Sequence, residues 1–368
     1  MKSVVLVQYC PWPVNTGTKM EMMKHLQVLK GLGECKVVSA RGKPVGFGWT
    51  RESIQTLRQM GYGLEFREET ERLGAMQLVG SAYALAARIL RLERAFGHSN
   101  PYHRYAFTQE WWSRVTAGAD LAVMQYTHWA RFRSLCPCAI VTQELLSSYH
   151  WGGSVIETRE LEGANLVVTV GADEADSLKQ RGLKYVMWSP PAIPQPKESL
   201  EVTAEVGLTG TVAPQNLEGL RWLESVLTAG SPRIRVYGNM ASEVKSQFMA
   251  KVGRYGDNDQ PYRECGIQLM TRARRPGLQI KAVEALACGR AIVARRGSMS
   301  GLPPTGDAWI EVDTPQQMIA EVQRLQSDAV ARQQLASAAT LFYTKHLESG
   351  KVLADLTDAY RRLACSKD

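Results

Sequence analysis

Residues 274–294 read RRPGLQIKAVEALACGRAIVA, and the punctuation of that stretch decides the fold. Pro276 and Gly277 mark a turn, apolar residues then recur at helical spacing, Gly289 stops the run, and a β-branched strand follows at once. The pattern predicts a helix over 277–288 that opens at Gly277. The first backbone N–H groups of a helix lack internal partners and point, with the positive end of the dipole, toward anions. A glycine at that entrance admits a phosphate close to the backbone, and Lys281 one turn later adds a compact positive charge. Glu284 follows Lys281 by three residues, so the two share a helix face. A carboxylate there suits two neighbouring hydroxyls, as a ribose presents. An anion site and a diol acceptor on one helix suggest a nucleotide. The same Lys281–Glu284 spacing also fits an ordinary surface ion pair.

Two passages outside this stretch repeat one order of elements. SVVLVQY (3–9), the loop CPWPVNTG, the helical TKMEMMKHLQVLKGLG and the strand CKVVSA form one βαβ unit. AEVGLTGTV (204–212), APQN, LEGLRWLESVLTAG and RIRVYGN form the second. Buried parallel strands are expected at 119–126, 138–144, 164–170, 265–271, 290–295 and 308–312, with helices at 173–182 and 314–328. Pro315 behind the Asp313-Thr314 cap marks the start of the latter. Between the halves, WSPPAIPQPKESLEV (188–202) has linker composition. The expected architecture is α/β, two doubly wound Rossmann-like parallel-sheet domains facing a central cleft. The first spans 1–195 and the second 196–345, and 346–368 forms a C-terminal helix that can cross back to the N-terminal domain. Ligands in such sheets lie beyond the carboxyl ends of the strands. That rule directs attention to loops 10–18, 127–131, 144–153, 209–216, 271–279 and 295–302.

Composition narrows the function classes. With 368 residues, 45% hydrophobic and 22% charged, the chain reads as a two-domain globular protein rather than a disordered or fibrous one. A net charge of +8 fits an anionic partner and equally a mildly basic enzyme surface. The seven cysteines show neither zinc spacing nor a disulfide framework, which implies reduced thiols in a cytoplasmic setting. The N-terminus reads as a strand rather than a signal peptide, and no apolar run is long enough to span a bilayer. AYALAARILRLERAFGHSNPYHRY (82–105) predicts an amphipathic helix with Leu85, Ile89, Leu92 and Phe96 in one stripe and Arg88, Arg91 and Arg94 off it. Such a helix packs on its own domain or rests peripherally on the inner face of a membrane.

Several segments, in order, resemble the family 4 glycosyltransferases of GT-B fold. GLQIKAVEALACGRAIVA is similar to their C-terminal signature, and YCPWPVNTGTKMEMMKHLQVL to their N-terminal proline-glycine loop and first helix. ADLAVMQYTHW, GANLVVTVGADEADSLKQRG and GLTGTVAPQNLEGLRWL match further family segments, so the resemblance runs from residue 3 to about 340. It implies transfer of a sugar, with retention of configuration, from a nucleoside-diphosphate sugar to an acceptor hydroxyl, without a metal or other cofactor. It places Gly17, Thr18 and Lys19 toward the donor diphosphate, with Gly210 and Thr211 in the corresponding loop of the second half. Gly277 and Leu278 would meet the phosphates, Lys281 would lie nearby, and Glu284 would hold the ribose. His128 and Glu144 are the implied catalytic candidates beside the transferred sugar and the acceptor. The chain also departs from the family. Pro276 stands where a first Glu is common, Asn165 replaces an Asp, Ser300 replaces an acid in ARRGSMSGL, and the usual Arg and Lys near residue 210 are missing. Arg272, Arg274 or Arg275 are positioned in sequence to substitute.

The implied partners are a nucleotide-sugar donor and a glycan, lipid-linked or small-molecule acceptor. Two rivals stay open. One is a transferase acting on a hydroxymethylated nucleic-acid base, which the positive charge permits but no aromatic-plus-basic strip favours. The other is a nucleotide-sugar-binding protein that has lost catalysis.

Overall fold

The computed structural model describes residues 1–14, 16–40, 48–67, 78–79, 82, 107–130, 132–145, 147, 154–304 and 306–366. The chain divides into two units, Met1–Pro190 with Leu353–Asp368, and Pro191–Val352.

The N-terminal unit is built on a parallel sheet of seven strands in the order β3-β2-β1-β4-β5-β6-β7. These are β1 (Lys2–Leu6), β2 (Glu34–Ala40), β3 (Gly63–Arg67), β4 (Leu121–Gln125), β5 (Cys138–Thr142), β6 (Leu166–Thr169) and β7 (Val186–Trp188). Every residue of β4 and β5 is buried, as expected of parallel strands covered on both faces. Alternate residues of β1 serve opposite cores. Val4 and Leu6 pack with Trp112, Trp129 and Ile140, while Val5 and Val7 pack with Leu26, Leu29 and Val141. The helices are α1 (Gly17–Leu32), α2 (Arg51–Gln59), α3 (Gln109–Thr116), α4 (Ser154–Leu161) and α5 (Ala172–Gln180). Trp111 and Trp112 of α3 are both core residues.

In the C-terminal unit the order is β10-β9-β8-β11-β12-β13, again all parallel. Its strands are β8 (Val206–Thr209), β9 (Ile234–Tyr237), β10 (Met249–Gly253), β11 (Ile267–Met270), β12 (Ala291–Arg295) and β13 (Ile310–Val312). Its helices are α6 (Pro214–Glu224), α7 (Gln260–Glu264), α8 (Ile280–Ala287), α9 (Pro315–Ser327) and α10 (Ala329–His346). Thr314 and Gln317 close a reciprocal capping box on α9, with Pro315 at its first position. Ahead of β12, the buried Arg290 guanidinium donates to the carbonyls of Leu200, Glu201, Tyr262 and Cys288, so a charge without a carboxylate partner among the described residues stitches three chain segments together.

Helix α11 (Ser349–Cys365) rejoins the N-terminal unit from Leu353 onward. Leu356, Tyr360 and Leu363 enter the core beneath Val5 and Leu26, and the Tyr360 hydroxyl lies 2.7 Å from His25 Nδ1. On α1 beside that histidine, buried Lys24 ion-pairs with Glu21 and donates to the Ser189 hydroxyl at 2.9 Å and the Pro190 carbonyl at 2.8 Å. The segment leaving β7 and the returning helix are therefore both tied to α1.

One expected boundary is corrected. The helix predicted over 277–288 begins at Ile280, because Gly277 has φ +75°, a left-handed conformation that cannot continue into a helix. The expected amphipathic helix over 82–105, with Leu85, Ile89, Leu92, Phe96, Arg88, Arg91 and Arg94, lies outside the described residues. No disulfide joins any two of the seven cysteines. Among the described residues no helix is long and apolar enough to cross a membrane.

Leu356 is fully buried, so Leu356→Ala leaves a cavity under β1 and α1 and is expected to destabilise the protein by about 2–5 kcal/mol. Denaturant unfolding followed by tryptophan fluorescence measures this. A loss well below 1 kcal/mol would show that α11 does not belong to the core as described.

Candidate functional site

In each sheet the crossovers leave the first strand in opposite directions, β1 against β4 and β8 against β11. The carboxyl ends of those pairs are the switch points at which doubly wound sheets bind ligands.

In the C-terminal unit, Thr209 and Gly210 leave β8 while Thr271 and Arg272 leave β11. Lys281, the second residue of α8, reaches this point and donates from Nζ to the Thr209 carbonyl at 2.9 Å. That carbonyl is its one hydrogen-bond acceptor among the described residues, which leaves two ammonium donors unused. No ion pair joins Lys281 to Glu284. Burial, reinforced by the Arg272 guanidinium and opposed by Glu284, lowers the Lys281 pKa to about 8. The half-buried Lys281 cation, with its two spare donors, is thus held beside a second cation, an arrangement suited to an anion. The Thr209 hydroxyl, Gln279 Oε1 and the Ser298 hydroxyl are also buried without hydrogen-bond partners.

Glu284 lies one turn further along α8. Its Oε2 accepts a hydrogen bond from the Tyr262 hydroxyl at 2.7 Å, and burial raises its pKa. Tyr255, whose own pKa is pushed up to about 12 by burial and then by the Glu284 charge, flanks the same carboxylate. Neither tyrosine was marked by the sequence, since nothing local links α7 to α8.

Around this corner the loops are packed too closely for side chains. A Cβ on Gly301, φ +88°, would lie 3.0 Å from the Gly277 carbonyl, and one on Gly210 would lie 2.8 Å from the Met240 side chain. Gln279, which precedes α8, donates to the Ser298 carbonyl, and the Ser300 hydroxyl donates to the Arg275 carbonyl at 2.8 Å. Leu278 lies against Gly301 in the same contact. Thr211 accepts from Asn216 Nδ2 at its carbonyl, 3.1 Å, and its hydroxyl, 3.2 Å, just ahead of α6. Arg274 and Arg275 are exposed on the loop. Arg295 is engaged with Glu218 at 2.7 Å and stacks over Trp222, and Arg296 pairs with Asp313, so both serve the scaffold.

The N-terminal switch point carries a different chemistry. Tyr9, beyond β1, and Tyr126, beyond β4, bring their hydroxyls to 3.0 Å. Burial raises the pKa of both, the Thr18 hydroxyl bonds to both phenols, and the Glu144 charge adds to the rise. The predicted Thr18 and Glu144 therefore meet at one point, together with two tyrosines that the sequence did not mark. Tyr126 has φ +81° and ψ +146°, a strained conformation nearly confined to glycine. It opens the short turn Thr127–Trp129 that carries His128. Gly17 is the first residue of α1 behind the Thr16 cap, and Lys19 Nζ donates to the Pro13 carbonyl at 3.2 Å. Lys19 is thereby held to its own loop.

No family model matches the sequence, and no curated protein matches it. Solved structures do. HepE of Anabaena in complex with UDP is 13% identical with a TM-score of 0.65, covering 98% of this chain and 100% of that one. Sucrose-phosphate synthase of Thermosynechococcus elongatus is 11% identical with a TM-score of 0.63, at 99% of both chains. A TarM mutant of S. aureus in complex with fondaparinux, alpha-GlcNAc-glycerol and UDP is 10% identical with a TM-score of 0.66, at 100% of both. The chain has the GT-B fold, with two Rossmann-like parallel-sheet units.

Proposed function

We propose that the protein is a retaining, metal-independent glycosyltransferase of the family 4 type, working in the cytoplasm, that moves a sugar from a nucleoside-diphosphate sugar to an acceptor hydroxyl. One observation carries this reading: the half-buried Lys281 ammonium, with unused donors, stands at the β8–β11 switch point. Glu284 follows on the same helix face. The structures of HepE in complex with UDP and with UDP-glucose support it, since both proteins share the fold.

In this reading the C-terminal unit holds the donor. Lys281 and the backbone around Gly210, Thr211, Gly277 and Leu278 meet the diphosphate, Arg272 and Arg275 add positive charge, and Glu284 takes the ribose hydroxyls. The bond between the anomeric carbon and the diphosphate breaks on the face where the acceptor oxygen arrives. Configuration is thereby kept, and the acceptor proton passes to the departing phosphate oxygen. Negative charge builds on the diphosphate as that bond breaks, so a preorganised cation stabilises the transition state more than the ground state. The family resemblance assigns Gly17, Thr18 and Lys19 to the donor diphosphate, and Glu144 and His128 to the acceptor hydroxyl and the transferred sugar. The acceptor is a glycan, a lipid-linked sugar or a small molecule.

A thermal-shift panel of nucleoside diphosphates and their sugars identifies the donor, because a ligand that binds only the folded state raises the melting temperature. Glu284→Gln is expected to remove most of the shift given by the best nucleotide. An unchanged shift rejects the ribose role.

The depressed pKa of Lys281 sets a pH dependence. Below about 8 the ammonium is charged and attracts the diphosphate, and above it the charge is lost. UDP affinity is therefore expected to fall as pH rises from 7 to 9.5, by up to about tenfold per unit beyond the pKa. Lys281→Met should bind more weakly at pH 7, flatten this profile and lower kcat by about 10²-fold. Calorimetric titration across pH is the measurement. A wild-type profile that stays flat removes Lys281 from the diphosphate.

A further inference from the structure

Glu284, the residue proposed to take the ribose, is itself held by a tyrosine. Its Oε2 accepts a hydrogen bond from the Tyr262 hydroxyl at 2.7 Å, and among the described residues the carboxylate has no other hydrogen-bond donor. The same hydroxyl lies 3.4 Å from the Lys281 carbonyl, so both of its contacts are made to α8. Lys281 spends its one bond elsewhere, on the Thr209 carbonyl.

Tyr262 is fixed by its surroundings. It is 1% exposed, so its hydroxyl has no access to bulk water in place of Glu284. Its own carbonyl accepts from Arg290 Nη1 at 3.2 Å, and the carbonyl of Pro261 accepts from Gln268 Nε2 at 3.0 Å. Gln268 lies on β11, and both it and Arg290 are buried. The short helix α7 is therefore tied at two successive carbonyls to β11 and to the start of β12, and the phenol is delivered to α8 on a rigid support.

A carboxylate offers about four lone-pair sites on its two oxygens. The phenol takes one site on Oε2 and, being charge-assisted, the bond is strong enough to set the rotation of the group. What faces outward is Oε1 together with the second site on Oε2. Two neighbouring hydroxyls on one ring fill one site on each oxygen, whereas a single hydroxyl leaves a partly desolvated acceptor empty. Burial raises the Glu284 pKa and the phenol opposes that rise, so the same bond favours the charged, accepting form.

We infer that Tyr262 is a positioning residue for donor selection: by fixing one oxygen of Glu284 it turns the rest of the carboxylate toward a vicinal diol, so that the site takes a ribonucleoside diphosphate and rejects its 2′-deoxy counterpart. The inference rests on the proposal that Glu284 binds the ribose. The donor class is then a ribonucleoside-diphosphate sugar, and a sugar carried on a deoxyribonucleoside diphosphate is a poor substrate.

The test is calorimetric titration of the full-length protein, at one pH, with UDP and with 2′-deoxy-UDP. Wild type, Tyr262→Phe, Glu284→Gln and the double variant are compared. Wild type is expected to bind UDP about tenfold or more tightly than 2′-deoxy-UDP, because the analogue leaves an acceptor unfilled. Tyr262→Phe keeps the buried ring, so its circular dichroism should match wild type. It should lose about tenfold in UDP affinity but change 2′-deoxy-UDP affinity by less than about threefold, collapsing the preference. In the Glu284→Gln background the same substitution should add little, since the two residues act as one unit. A Tyr262→Phe variant that keeps the full preference, or that weakens both nucleotides alike, overturns the inference, the second result marking a merely structural role. Equal binding of the two nucleotides by wild type overturns it as well. Failure of UDP to bind wild type, or UDP affinity unchanged by Glu284→Gln, instead removes the ribose assignment and this inference with it.

Discussion

The Lys281 ammonium enters a partly desolvated corner and receives a single carbonyl, that of Thr209, in exchange for its hydration. Burial of a cation normally requires a carboxylate or several acceptors, and a shortfall appears as a lowered pKa. Here the stronger charge influence is another cation, Arg272, ahead of the opposing Glu284. The bond nevertheless has a positional consequence. It ties the first turn of α8 to the end of β8 and so fixes the corner where β8 and β11 part. The close approach of Gly301 to the Gly277 carbonyl and the Gln279–Ser298 contact bring the neighbouring loops to the same place. A diphosphate would supply the charge the corner lacks.

The N-terminal unit expresses its function differently. Its switch point joins two phenols, a threonine hydroxyl and the Glu144 carboxylate, and holds Tyr126 in a backbone conformation that costs on the order of 1–3 kcal/mol.

Much of the fold was legible because parallel strands buried on both faces appear in sequence as short, continuous apolar runs. LAVMQ, CAIVT and LVVT announce themselves in this way. The strands GLEFR, VMW and MAKVG do not. All three are sheet edges, paired on one side and only partly buried, so no apolar run marks them. At the sites, the residue types could be read but their partners could not. Glu284 lies three residues from Lys281 and suggests an ion pair, whereas the actual acceptor, Thr209, is 72 residues away. The contact that holds Gln279 reaches 19 residues ahead to Ser298, so the late start of α8 has no local signal beyond Gly277. Tyr9 and Tyr126 meet across 117 residues, and the strained position is not a glycine, so nothing in the sequence flags it.

The central claim is that the β8–β11 corner holds a nucleotide. A crystal structure of the protein grown with UDP tests it most directly. The account predicts the diphosphate within hydrogen-bonding reach of Lys281 Nζ and the ribose hydroxyls on the Glu284 carboxylate. UDP bound elsewhere while this corner holds only solvent would contradict it.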